Sequence, residues 1–144
     1  LEMHHAAISR SAQHDIFIGC AAVADYRPES VADNKIKKSN DELVVKMVKN
    51  PDILADIANS KQRPFCVGFA AETQDIEHYA KGKLARKNLD LIAANDVAKA
   101  GQGFNAEQNS LIVFSKTDAT TIPLANKLEV ANALLSLVLI HYKK

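Results

Sequence analysis

Tryptophan is absent from this sequence, and five Phe with three Tyr are its only Phe/Tyr/Trp residues. So few rings argue against a platform that stacks the bases of single-stranded nucleic acid. Net charge is only +1, so the chain is not a general polyanion binder, and any nucleic-acid role would need a local basic patch. Cysteine is scarce. Cys20 and Cys66 each lie in an apolar, strand-like run, which predicts two buried free thiols in a reducing compartment and no disulfide framework. No apolar run nears the roughly 20 residues that span a bilayer, and no signal-peptide pattern is present. The expectation is a soluble, cytoplasmic protein with no membrane or nucleic-acid partner. The patterns GxGxxG, CxxC and HExxH are missing, as is a catalytic Ser-His-Asp order. Gly101-Gln102-Gly103 is too short to cradle a phosphate and reads as loop punctuation.

What is present is enough for a core. Hydrophobic residues make up 47% of 144 positions, and a chain of this length forms one domain or most of one. It opens on Leu1 inside a helical pattern, which suggests a fragment. Short and long apolar stretches then alternate. The periodicity predicts a helix over 2–13, a buried strand over 15–23, and an exposed or edge strand over 41–48. A helix follows from Asn50, with Asn50 as N-cap and Pro51 in the first turn, to about residue 60. Next come a strand over 65–71, a helix over 74–87, a strand over 89–94 and a polar loop over 95–108. A hairpin of 110–115 with 120–124 precedes a closing helix over 126–142. This rhythm predicts a three-layer α/β, Rossmann-like fold, its sheet mainly parallel with antiparallel additions and helices on both faces. Ligands of open α/β sheets bind outside the carboxyl ends of the strands. Here those ends carry Ala24-Asp25, Glu72-Thr73 and Asn95-Asp96.

The chemistry concentrates after the first strand. Asp25 either caps a loop or meets a ribose, a base edge or a metal at the sheet rim. Lys35, Lys37 and Lys38 form a basic loop; one of them could reach a phosphate, and the residues alone do not rank the three. The helix start Pro51-Asp52-Ile53-Leu54 offers backbone N–H groups to an anion, although Asp52 opposes that unless it turns away to cap. On a helical wheel of 74–87, Ile76, Tyr79, Ala80 and Leu84 form an apolar stripe. Lys83 and Lys87 fall within it, while Lys81 faces away. Both lysines either snorkel past the core edge or point into a pocket holding a polyanion. Phe69 either packs in the core or stacks a base in space left by Gly68.

The stretches IFIGCAAVADYRP, KIKK, VKMVKNPDIL, VGFAAET, ARKNLDLIAANDV and QGFN resemble the ligase domain of bacterial phosphopantothenate–cysteine ligase, usually the C-terminal half of a bifunctional decarboxylase/ligase. The resemblance implies activation of 4′-phosphopantothenate by CTP as an acyl-cytidylate, then attack by the amine of cysteine, with magnesium shielding the triphosphate. It implies CTP contacts at Gly19, Cys20, Ala21, Asp25, Lys35, Pro51, Asp52, Ile53, Leu54, Phe69, Lys83 and Lys87. Lys35 becomes the expected catalytic lysine, stabilising charge on phosphate and carboxylate oxygens. A homodimer is implied, with residues 41–48 a plausible crossing strand. The family's opening strand, glycine loop and essential Asn have no counterpart here, nor does the decarboxylase domain. The chain is therefore read as the C-terminal larger part of a ligase domain, with turnover absent alone and no FMN expected. The competing readings are a nicotinamide-dependent oxidoreductase fragment and a non-catalytic nucleotide-binding or dimerisation module.

Overall fold

Two faces of one sheet organise the molecule, a computed structural model that describes residues 1–37, 42–96 and 106–143. Helix α1 (Glu2–Ser11) leads into β1 (Ile16–Gly19). A small excursion, β2 (Tyr26–Pro28) and β3 (Met47–Lys49), precedes α2 (Ile53–Ala58). Then β4 (Phe65–Glu72), α3 (Ile76–Arg86) and β5 (Leu91–Asp96) alternate, followed by β6 (Gln108–Phe114), β7 (Ala119–Asn126) and α4 (Lys127–Tyr142). The main sheet runs β1-β4-β5-β6-β7, with β1, β4 and β5 parallel and β6 and β7 antiparallel additions. Strands β2 and β3 form a separate antiparallel pair.

Alternation of side chains along β4 and β5 explains the layers. Cys66 and Ala70, with Ile92 and Ala94, pack against Ile53 and Ile57 of α2 and Ala80 and Leu84 of α3. Val67, Leu91 and Ala93 turn the other way, onto Val130, Leu134 and Val138 of α4. The result is a three-layer, Rossmann-like α/β fold. Helix α4 starts cleanly because Asn126 and Glu129 form a reciprocal capping box, the Asn126 side chain accepting from Glu129 N–H at 2.9 Å. Among the described residues no helix is long and apolar enough to cross a membrane.

Several expected boundaries move, each for a local reason. The strand predicted over 15–23 stops at Gly19 and lies at the sheet edge, with Ile18 exposed. Cys20 therefore sits past the strand and is exposed, not buried as expected, whereas Cys66 is buried in β4. Burial raises the Cys66 thiol pKa, and its Sγ donates to the Pro64 carbonyl at 3.3 Å. Of the described residues of the 41–48 segment only Met47 and Val48 are strand, continuing to Lys49, and they pair with Tyr26–Pro28, a strand with no sequence signal. Helix α2 is capped by Asp52, whose side chain accepts from Ala55 N–H at 3.1 Å, not by Asn50. Tyr79, placed in the apolar stripe of α3, is half exposed. Most of the loop expected over 95–108, with Gly101-Gln102-Gly103, lies outside the described residues, as does Lys38.

The base of the sheet is stapled by charge. Arg63 pairs with Asp90, whose carboxylate also accepts from Cys66 N–H at 2.7 Å. Arg63 donates to the Asn88 carbonyl too, at 3.2 Å.

Candidate functional site in the crevice between α2 and α3

Two glycines set the floor. Gly19 of β1 and Gly68 of β4 lie side by side in parallel register. A Cβ on Gly19 would come within 3.2 Å of Leu54, and one on Gly68 within 2.7 Å of Leu89 and 3.1 Å of Leu54. Their missing side chains let Leu54 of α2 lie directly on the sheet. Gly68, expected to leave space for a base beside Phe69, has Leu54 and Leu89 close above it and borders the larger of the two clefts here.

Around this floor open two adjoining clefts. One, of about 160 Å³, is bordered by Gly19, Ala21, Asp25 and the run Pro51 to Leu54. The other, of about 450 Å³, is bordered by Tyr26, Lys49, Lys83 and Arg86. Asp25, Lys49, Asp52, Leu54, Phe69 and Lys87 border both. Most of the expected site residues are therefore brought together from four separate segments. Phe69 touches the clefts while packing with the cluster under α4. Cys20 borders neither cleft, and Lys35 is exposed on the loop after β2 without bordering either. Thr73 and Asn95, expected at a common rim, also border neither.

The lysines of α3 have defined partners. Lys83 donates to Glu72 at 2.6 Å, and Lys87 to Asp52 at 2.8 Å. Burial alone would raise the Asp52 carboxyl pKa. The Lys87 ammonium and the Ala55 N–H, with the charges of Lys87 and Lys49, hold it below the usual range instead. At the start of α2, where backbone N–H groups were expected to face an anion, the Asp52 carboxylate serves as cap. By contrast Lys81 pairs with Glu77 on the outer surface at 2.6 Å.

Asn50, freed from capping, latches the loop after β1. Its backbone N–H donates to the Asp25 carbonyl at 2.7 Å, and its side chain donates to the Ala24 carbonyl at 2.8 Å. Arg27 donates to Asn50 Oδ1 at 3.0 Å and to the Lys49 carbonyl at 2.9 Å. The Asp25 backbone is thereby fixed at the border of both clefts. Sequence reasoning missed Lys49 and Arg86. For Arg86 a signal existed, since Lys83, Arg86 and Lys87 stand at i, i+3 and i+4 on one helix face.

Such a crevice can hold the phosphate of a small molecule: four cations, a few polar groups and an apolar floor. Among the described residues there is no cluster of three or more His, Cys, Asp or Glu that could hold a metal ion.

Residues 1–141 match the model of the DNA/pantothenate metabolism flavoprotein C-terminal domain. Curated relatives include the coenzyme A biosynthesis bifunctional protein CoaBC of Vibrio cholerae, 57% identical over 96% of this chain and 35% of the relative. That of Haemophilus influenzae is 51% identical over 99% of this chain and 36% of the relative. The chain spans about a third of the length of these curated relatives. A crystal structure of the C-terminal domain of coenzyme A biosynthesis bifunctional protein CoaBC aligns with TM-score 0.76 and 31% identity, covering 99% of this chain and 63% of that one. The DNA/pantothenate metabolism flavoprotein from Streptococcus pneumoniae aligns with TM-score 0.72 at 23% identity, covering 98% of this chain and 67% of that one, a likeness of fold.

These matches correct the functional expectation. The family is described as a flavoprotein C-terminal domain, and none of these descriptions names a ligase, CTP or magnesium. The assignment as phosphopantothenate–cysteine ligase, with CTP and magnesium, is therefore withdrawn, and neither competing reading fits better. The expectation without FMN is withdrawn too, because the family is named for a flavoprotein. For that group the fit is to its phosphate, which suits the cations of the larger cleft, whose floor is formed by Leu54, Gly68 and Leu89. With its family model matched from residue 1 to residue 141, this chain belongs to the DNA/pantothenate metabolism flavoprotein C-terminal domain family.

Proposed function

We propose that the crevice between α2 and α3 holds the phosphate end of a mononucleotide-class ligand, in a bifunctional cytoplasmic protein of coenzyme A biosynthesis. The names of the relatives support the pathway. The observation that carries the ligand class is the convergence of Lys49, Lys83, Arg86 and Lys87 on one cleft of about 450 Å³. Lys83 and Lys87 contact phosphate oxygens in this reading, while Asp25, which borders the same cleft, accepts from a hydroxyl or amine of the ligand. Residues Gly19, Ala21 and Pro51 to Leu54 shape the adjoining cleft for the rest of the molecule. The chain forms the larger part of one domain, and the β2–β3 pair, with its unpaired outer edges, serves as a contact between two copies.

Calorimetric titration with inorganic pyrophosphate, followed by FMN and the four common ribonucleotides, tests the ligand class. Saturable binding is expected, and Lys83→Ala and Lys87→Ala should each weaken it about tenfold, the loss of one charge-assisted contact. Lys35→Gln should leave pyrophosphate affinity unchanged, because Lys35 borders neither cleft. Any part for Lys35 at a reacting centre would show only in turnover. Absence of saturable binding, or full affinity in both α3 variants, would refute the reading.

A further inference from the structure

The two lysine–carboxylate pairs of the crevice are not equivalent. Asp52 is engaged twice: Oδ1 accepts from Ala55 N–H at 3.1 Å as the cap of α2, and Oδ2 meets Lys87 at 2.8 Å. Its carboxylate cannot turn away from Lys87 without uncapping the helix. Among the described residues Glu72 has no such second duty. It stands at the last position of β4, and its Oε1 meets Lys83 at 2.6 Å. The Glu72 side chain is 14% exposed and that of Lys83 36%, so both charges are partly desolvated and need an opposite charge beside them. Lys83 borders the larger cleft, whereas Glu72 does not.

We propose that Glu72 is a specificity-determining residue, an internal anion that occupies Lys83 in the empty crevice and is displaced by the incoming phosphate. The inference rests on the phosphate-binding reading and adds a selection rule to it. A singly charged carboxylate offers Lys83 nothing that Glu72 does not already supply. A doubly charged phosphate group contacts Lys83 together with Lys87 and Arg86, and so outcompetes the single oxygen of Glu72. Glu72 thereby makes the crevice discriminate by charge density, rejecting monoanions of similar size. Asp52 plays no part in the exchange and keeps Lys87 placed while Lys83 changes partner.

The test is pyrophosphate and acetate titration of the chain, its Glu72→Gln variant, Lys83→Met and the double variant. Glu72→Gln should tighten pyrophosphate about threefold to tenfold and make acetate binding detectable, since one competitor of the ligand is removed. In the Lys83→Met background the same change should have no effect. In the unsubstituted chain, the carboxyl carbon resonance of Glu72 should move as pyrophosphate is added. A Glu72→Gln variant that binds pyrophosphate equally or more weakly overturns the inference while the phosphate-binding reading stands. Binding seen only in Glu72→Gln supports the inference and overturns that reading for the native chain. No binding in either overturns both.

Discussion

The α4 face of the sheet and the face beneath α2 and α3 are built from the same strands yet differ in what they bury. On the α4 face, Val130, Leu134 and Val138 meet Val67, Leu91, Ala93, Leu111 and Val113, and a 16-residue helix starts on a capping box. The opposite face carries a six-residue and an eleven-residue helix. Two glycines thin its sheet, and two lysine–carboxylate pairs hold its helices near the crevice. One face is regular because only packing constrains it. The other gives up side-chain volume and gathers paired charges around a crevice. On the proposed reading, stability and recognition are divided between the two sides of a single sheet.

Substitutions that separate these roles sharpen the contrast. The largest effect is expected from Leu134→Ala on the α4 face, a fully packed side chain whose loss costs about 3 kcal/mol in urea unfolding. Pyrophosphate affinity should stay unchanged; a parallel loss of affinity would break the division. Next comes Gly68→Val. Its Cβ alone would lie 2.7 Å from Leu89 and 3.1 Å from Leu54, so overpacking should cost about 2 kcal/mol. Because Leu54 must shift, affinity should fall with stability, the reverse of Leu134→Ala. The smallest effect concerns acid. The folded-state pKa of Asp52 lies below its unfolded value. Its contribution is thus complete above the ordinary carboxylate range and lost as pH falls through the folded value. Asp52→Asn should flatten the stability–pH curve below about pH 4, where the unfolded carboxyl begins to bind protons, and leave the neutral region sloping as before.

The alternating rhythm, the closing helix and the hairpin were legible because long apolar stretches of one period dominate them. The placement of Lys83 and Lys87 was legible for the same reason, and both are half-buried at the crevice. The cap of α2 was not. Asn50 and Asp52 are both good caps, but the Asn50 side chain is engaged elsewhere, Oδ1 accepting from Arg27 and Nδ2 donating to the Ala24 carbonyl. Strand β2 escaped notice because three residues carry no periodicity and exist as strand only through pairing with Met47–Lys49. Cys20 looked buried because the apolar run continues past Gly19, where the ladder with β4 ends. Lys49 was hidden by lying on another segment, beyond the reach of any spacing argument. The ligase assignment rested on motif likeness, and the matched family description did not carry it.

Asn88, the residue after the C-cap of α3, has a left-handed backbone at φ 54, a conformation that asparagine tolerates at helix ends. Its side chain donates to the Ala58 carbonyl at the far end of α2, at 3.0 Å. Its neighbour Lys87 meets Asp52 at the near end. Helix α2 is thus strung between two consecutive residues, one tether ionic and one neutral. The proposed exchange of Glu72 for an anion at Lys83 touches neither tether. Both stay fastened, so side-chain partners can change in the crevice while the helix keeps its seat on the two glycines.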